Sequence, residues 1–219
     1  MTQDEKKGKM PPALTPALEM AKGLLRKGGL VIAPTETFYA ILGDAWSQKA
    51  ISRLVKLKSW DYGKPVPLIA GSVRIIRDVT TDIPPIFDDL AREFWPGPLI
   101  MVLKAAKGFP PGVTAGTGNV GIRVPGWSVA LELARIYGRP LTATGANFNG
   151  SPSPRATAEI HPEIKLGVDL TLDGGWTPGY QPPTILNLVP TPPVILRDGT
   201  LASRVTAFLN ELSWRESRL

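Results

Sequence analysis

The chain has 219 residues, 43% hydrophobic and 20% charged, which suits one domain able to bury a substantial core, and no apolar run approaches the roughly 18 residues that cross a bilayer. The absence of cysteine excludes disulfides, thiolate chemistry and Cys-ligated metals, and the one histidine, His161 before Pro162 in a loop-like stretch, argues against a Ser-His-Asp triad and a multi-His metal site. A formal charge of +6 favours anionic partners, a nucleotide or a nucleic acid, and leaves the chemistry to cations, hydroxyls, carboxylates and backbone groups.

Residues 1–12 form a polar stretch with no apolar segment behind it, read as a flexible tail and not a secretory signal, so the expected location is cytoplasmic. Thr15-Pro16 then sets up a helix, threonine as cap and proline as first helical residue. Leu18, Ala21, Leu24 and Leu25 give its apolar face, and Gly28-Gly29 ends it. Residues 30–33 read as a buried strand that stops at Pro34 and delivers Thr35-Glu36-Thr37-Phe38-Tyr39. Hydroxyls, a carboxylate and a phenol at the carboxyl end of a strand stand where α/β proteins bind ligands, although a plain turn has the same composition. Ser47 is a fit cap for a helix to about Leu57, with Ala50, Ile51, Leu54 and Val55 inward. Lys49, Arg53, Lys56 and Lys58 line its polar side, either a solvated face or the edge of an anion site.

Residues 65–70 read as a strand, 72–77 as helical turns and 85–94 as a helix halted by Trp95-Pro96-Gly97-Pro98. A strand over 99–103, a Gly/Pro/Thr-rich loop over 108–119 and a strand over 120–124 follow. Arg123 lies among apolar neighbours of that last strand and needs an anion, from a ligand or from a structural carboxylate. A helix over 129–137, opened by Trp127 or Ser128, precedes a strand over 141–144 and the small-residue loop 145–154, which suits an anion cradle or a cluster of turns. His161, before Pro162, reads as structural or solvated. Strands over 168–172, 184–188 and 194–196 and a closing amphipathic helix over 202–212 complete the chain, with 213–219 as a second tail. With no repeat and no linker, residues 13–212 form a single α/β (α+β) domain, a twisted mixed parallel/antiparallel sheet with flanking helices.

Six segments, in order over about residues 15–205, resemble the YrdC-like L-threonylcarbamoyladenylate synthases. They are Pro34-Thr35-Glu36-Thr37-Phe38-Tyr39, Lys58 with Lys64-Pro65, Trp95-Pro96-Gly97-Pro98-Leu99, Gly121-Ile122-Arg123-Val124-Pro125, Ala146-Asn147 with Gly150-Ser151-Pro152-Ser153-Pro154, and Ile195-Leu196-Arg197-Asp198-Gly199. The resemblance implies a sheet curved around a basic concave cavity. It also implies synthesis of threonylcarbamoyl-AMP from L-threonine, bicarbonate and ATP for N6-threonylcarbamoyladenosine in tRNA, with a downstream threonylcarbamoyl transferase as consumer. By the same resemblance Thr35 and Arg123 hold threonine, and Lys58, Asn147, Ser153 and Arg197 contact ATP, Lys58 acting catalytically beside the phosphates. ATP is then a substrate that brings Mg²⁺, with no dedicated metal ligand and no permanently bound cofactor. Double-stranded RNA is a further partner within such families; a membrane is not.

Against that pattern the chain has Trp60 where arginine is usual, Gly145 and Pro183 where serine is usual, and Ala40 where glycine is usual. Arg53, Lys56 or Lys64 is the expected replacement for the missing arginine. Three readings stand: an active synthase, a divergent paralogue that binds nucleotide or RNA without synthase activity, and a carbamoyl-AMP-handling domain like that of hydrogenase maturation proteins.

Overall fold

A computed structural model describes residues 14–60 and 63–216, with side chains as far as Leu212. The tail expected over 1–12 and residues 217–219 lie outside the described residues. Helix α1 (Thr15–Arg26) begins one residue earlier than the capping pattern suggests, because Leu14 already adopts helical dihedrals. Thr15 is therefore inside the helix, and Pro16 sits in the first turn, where a missing N–H costs no intrahelical bond.

The sheet expected from the sequence is two sheets. The smaller has the order β8-β2-β1-β9, from β1 (Leu30–Pro34), β2 (Tyr39–Gly43), β8 (Thr144–Gly145) and β9 (Leu170–Thr171). The larger has the order β11-β10-β5-β6-β3-β7. Its strands are β3 (Leu68–Ile69), β5 (Leu99–Ala105), β6 (Asn119–Arg123), β7 (Leu141–Thr142), β10 (Thr184–Asn187) and β11 (Val194–Arg197), with β4 (Thr80–Thr81) beside β5. Pairings β1–β9, β3–β6 and β5–β10 are parallel and the others antiparallel.

Two differences from the sequence reading position the site. The Pro34–Tyr39 stretch is a tight β1–β2 hairpin, with Pro34 opposite Tyr39, and β2 is a strand that its helix-neutral composition did not announce. The single strand expected over 141–144 changes sheets at Ala143, leaving β7 in the large sheet and β8 in the small one. The segment thus links the two sheets at that residue. The strand expected over 65–70 shrinks to β3, since Pro65 and Pro67 have no N–H to give a ladder.

The helices are α2 (Gln48–Leu57), α3 (Val73–Asp78), α4 (Ile86–Phe94), α5 (Pro111–Thr114), α6 (Val129–Tyr137), α7 (Pro162–Leu166) and α8 (Ala202–Glu216). Ser47 and Ser128 cap α2 and α6 through bonds of 3.2 Å from Ala50 N–H and Leu131 N–H. Helix α8 continues past the expected Leu212. Phe87, Leu90, Met101, Ile122 and Val205 fill the core under the large sheet. Leu25, Val31, Leu42 and Leu133 join α1 and α6 to the small one, and Ile32, Tyr39, Leu54 and Ile164 pack its other face. Among the described residues no helix is long and apolar enough to cross a membrane.

Candidate active site

The hairpin loop between β1 and β2 is shaped by Thr35. Its hydroxyl oxygen accepts from the N–H groups of Thr37 and Phe38 at 3.1 and 3.2 Å and lies 2.8 Å from Phe38 O, to which it donates. Such a threonine ties a turn to itself and leaves the loop rigid. Below it Tyr39 is fully buried, and its hydroxyl accepts from Gly174 N–H at 3.1 Å while donating to Gly175 O at 2.7 Å. Burial, above all, pushes the phenol up to about 12, so it remains a donor that pins the 173–175 turn to the hairpin.

Arg123, at the end of β6, is 3% exposed. Its Nη1 forms a contact ion pair with Glu36 Oε1 and donates to Gly97 O at 3.1 Å. The choice left open by the sequence is resolved in part: a structural carboxylate is present. Yet Nε and Nη2 donate to no group among the described residues, and Arg123 lines an open cavity. The cavity has a volume of about 140 Å³ and opens directly to solvent. Around it stand Thr35, Thr37, Gly145, Ser153, Pro183 and Arg197, drawn from both sheets. Arg197 donates from Nε and Nη2 to Pro183 O at 3.1 and 2.8 Å. Partial burial, and then the positive charge of Arg123, pushes its pKa below the ordinary arginine value. Two cations thus converge on one basin.

Lys58 and Asn147 do not line that basin; they hold its wall. Lys58 follows α2, is 3% exposed, and donates from Nζ to Gly145 O at 2.8 Å and to Asn147 O. Burial lowers its pKa to about 8. Asn147 donates from Nδ2 to Ser151 O at 2.6 Å and to Phe148 O at 3.2 Å, closing the loop after β8. Of the six residues proposed from sequence, Thr35, Arg123, Ser153 and Arg197 share a cavity, and Lys58 and Asn147 form the layer behind Gly145. Sequence reasoning missed the roles of Glu36 and Tyr39. Glu36 was legible only as a motif letter, because its partner lies 87 residues away.

A family model for the Sua5/YciO/YrdC proteins, described as "Telomere recombination", matches residues 23–199. The chain belongs to this family. It is 33% identical over 184 residues to the threonylcarbamoyl-AMP synthase of Pyrococcus abyssi, covering 84% of this chain and 54% of that protein. It is 32% identical over 164 residues to the threonylcarbamoyl-AMP synthase of Thiobacillus denitrificans, covering 75% and 87%. The crystal structure of P. abyssi Sua5 complexed with L-threonine superposes with a TM-score of 0.80 at 32% identity, over 83% of this chain and 54% of that one. The chain spans about half the length of the P. abyssi relative.

Within this Sua5/YciO/YrdC domain the unusual positions are structurally occupied. Trp60 Nε1 donates to Asn149 Oδ1 at 2.6 Å, and the Lys58 ammonium lies 5.4 Å from the indole ring. At Gly145 a Cβ would fall 2.3 Å from Asn147 Oδ1, so the Asn147 carboxamide fills the space where a serine side chain would stand. Pro183, which cannot donate, instead accepts both bonds of Arg197. Arg53 does not replace the missing arginine: it is paired with Asp169 at 2.6 Å. Lys56 faces a different cleft, beside Phe148 and Glu163. His161 accepts from Glu163 N–H at 3.2 Å and packs edge-on against Phe148, a structural role as expected.

Proposed function

We propose that this chain is an L-threonylcarbamoyladenylate synthase, making threonylcarbamoyl-AMP from L-threonine, bicarbonate and ATP with release of pyrophosphate. The observation that carries the reading is the free Nε–Nη2 edge of buried Arg123, facing a basin shared with Arg197, Ser153 and the Thr35 loop. A guanidinium edge matches a carboxylate with two parallel bonds. The family's P. abyssi member has been solved with L-threonine, which supports placing the amino acid there.

In this reading Arg123 orients the threonine carboxylate and Thr35 the rest of the amino acid. The amine adds to the carbon of bicarbonate with loss of water, giving a carbamate. A carbamate oxygen then attacks the α-phosphorus of ATP, and the bond to the bridging oxygen breaks, so pyrophosphate leaves with its electron pair. Arg197 and Ser153 face the nucleotide, while Lys58 and Asn147 shape the loop against which the phosphates rest. Catalysis then rests on positioning and cationic stabilisation, which require neither cysteine nor histidine. Two of the three N–H donors of Lys58 are engaged by carbonyls, so a phosphate that reaches the ammonium competes with the loop for it. Mg²⁺ accompanies ATP; among the described residues no group of three or more His, Asp or Glu gathers to hold a metal. The domain, residues 13–212, acts in the cytoplasm, its product passes to a threonylcarbamoyl transferase that modifies tRNA, and the +6 charge gives salt-sensitive RNA binding in the same basin.

The engagement of Lys58 by its own loop favours a second reading, a nucleotide-binding paralogue without turnover. Incubation with ATP, bicarbonate and a panel of amino acids separates the two. The synthase releases pyrophosphate with threonine and accumulates threonylcarbamoyl-AMP. A protein that binds ATP and releases none is the paralogue.

A further inference from the structure

We infer that Glu36 is the positioning residue of the threonine site: it holds one nitrogen of Arg123 so that a single edge of the guanidinium is left to read a ligand carboxylate. This deepens the proposed function and rests on the assignment of Arg123 to threonine.

The geometry assigns both protein acceptors to the same nitrogen. Nη1 meets Glu36 Oε1 and Gly97 O, and the guanidinium is planar, so fixing Nη1 fixes the Nε–Nη2 edge as well. Glu36 adjoins Thr35 in the hairpin loop. One short segment therefore supplies the loop hydroxyl and sets the angle of the arginine opposite it. The backbone beyond β6 makes room for this contact. At Gly126 a Cβ would fall 2.8 Å from Glu36 Cγ and 3.0 Å from Glu36 Cβ.

A role in stability alone fits less well. Glu36 Oε2 is buried with no hydrogen-bond partner among the described residues, and a buried, half-satisfied carboxylate is a poor stabiliser compared with an apolar side chain of similar size. What the carboxylate does supply is orientation and charge. Its negative charge offsets Arg123 in a basin that also contains Arg197, so the amino-acid end does not become a second phosphate site. Without Glu36, Nη1 regains a free N–H and the corner gains net positive charge, which suits an oxyanion with more oxygens than a carboxylate.

Steady-state pyrophosphate release from the full chain tests this with Glu36→Ala, Glu36→Gln and Arg123→Lys. The alanine variant is expected to raise the threonine KM about tenfold or more, the loss of one charge-assisted positioning contact, while the ATP KM stays within about twofold. It also becomes inhibited by inorganic phosphate competitively with threonine. Glutamine still offers an oxygen to Nη1, so it recovers most of the threonine KM but stays sensitive to phosphate, and it keeps the test open should the alanine protein fold poorly. Parallel rises in both KM values, or an unchanged threonine KM with no phosphate inhibition in either Glu36 variant, overturn the inference. Arg123→Lys separates the two levels. If it raises the threonine KM and the Glu36 variants do not, only the positioning role falls. If it too leaves the threonine KM unchanged, the threonine assignment falls with it.

Discussion

The two ends of the basin are built on opposite terms. At the hairpin end, Thr35 ties its own turn, Tyr39 pins the 173–175 turn and Glu36 holds one nitrogen of Arg123, which leaves the other edge of that guanidinium open. At the loop end the ammonium of Lys58 is turned onto the carbonyls of Gly145 and Asn147, and Trp60 is tied to Asn149. The first end is ready for a ligand; the second is closed upon itself, and a phosphate there competes with contacts already made. Preorganised donors act without reorganisation when the ligand arrives, and self-satisfied ones do not. Of the four positions that depart from the family pattern, Trp60 and Gly145 fall at the closed end, Ala40 lies on the hairpin strand β2 and Pro183 lies against Arg197.

The sharpest way to break this contrast is Arg123→Lys. Lysine cannot reproduce a planar two-donor edge and leaves Glu36 with a poorer partner, so the threonine kcat/KM is expected to fall about 10²-fold or more. ATP affinity, measured by calorimetry, changes little. An equal loss for both ligands means that the two ends are not separable. Next comes Lys58→Ala, which removes a charge-assisted donor at the closed end and weakens ATP by about 1.5–3 kcal/mol, roughly 10- to 100-fold, with threonine affinity preserved. ATP binding that survives this change shows that Lys58 only braces its own loop.

A smaller effect is expected from the double substitution Trp60→Arg with Gly145→Ser, which restores the usual family residues. A serine Cβ collides with Asn147 Oδ1, and arginine gives up the indole bond to Asn149, so pyrophosphate release should drop by up to about tenfold. A silent wild type that gains activity on this reversion shows the closed end to be decayed, not rebuilt.

These contrasts also mark what the sequence could convey. Helices α2 and α6 were legible because apolar spacing and serine caps are local signals, α4 because its apolar spacing ends at a proline-rich stop, and Arg123 stood out because a cation among strand residues is locally anomalous. The hairpin strand β2 was not legible: Tyr39–Gly43 is wholly buried and shows no alternation, and the motif drew attention to its turn. Nor was the change of sheets at Ala143, since Leu141-Thr142-Ala143-Thr144, which pairs first with β3 and then with β2, reads as one short alternating strand. The site divides along the same line. Thr35, Arg123, Ser153 and Arg197 came from motifs and meet in one cavity, whereas the inward turn of Lys58 depends on carbonyls 87 and 89 residues away.

The weakest effect, and the most specific to the closed end, is a pH dependence. Burial holds the Lys58 amine at about 8 in the folded chain, below its ordinary 10.5. Between those values the unfolded chain keeps the proton and the folded chain has released it, so the unfolded state binds more protons and stability rises with pH across that window. Phosphate, in contrast, prefers the ammonium, so ATP affinity should fall as pH passes upward through about 8, by at most about tenfold per pH unit. The two trends run in opposite directions from one group. Binding and thermal melts over this range, compared with Lys58→Met, isolate it, because methionine has no proton to lose and lacks both trends. If the ATP limb persists in Lys58→Met, the titrating group lies elsewhere, and the ammonium is not what the nucleotide meets at the loop end.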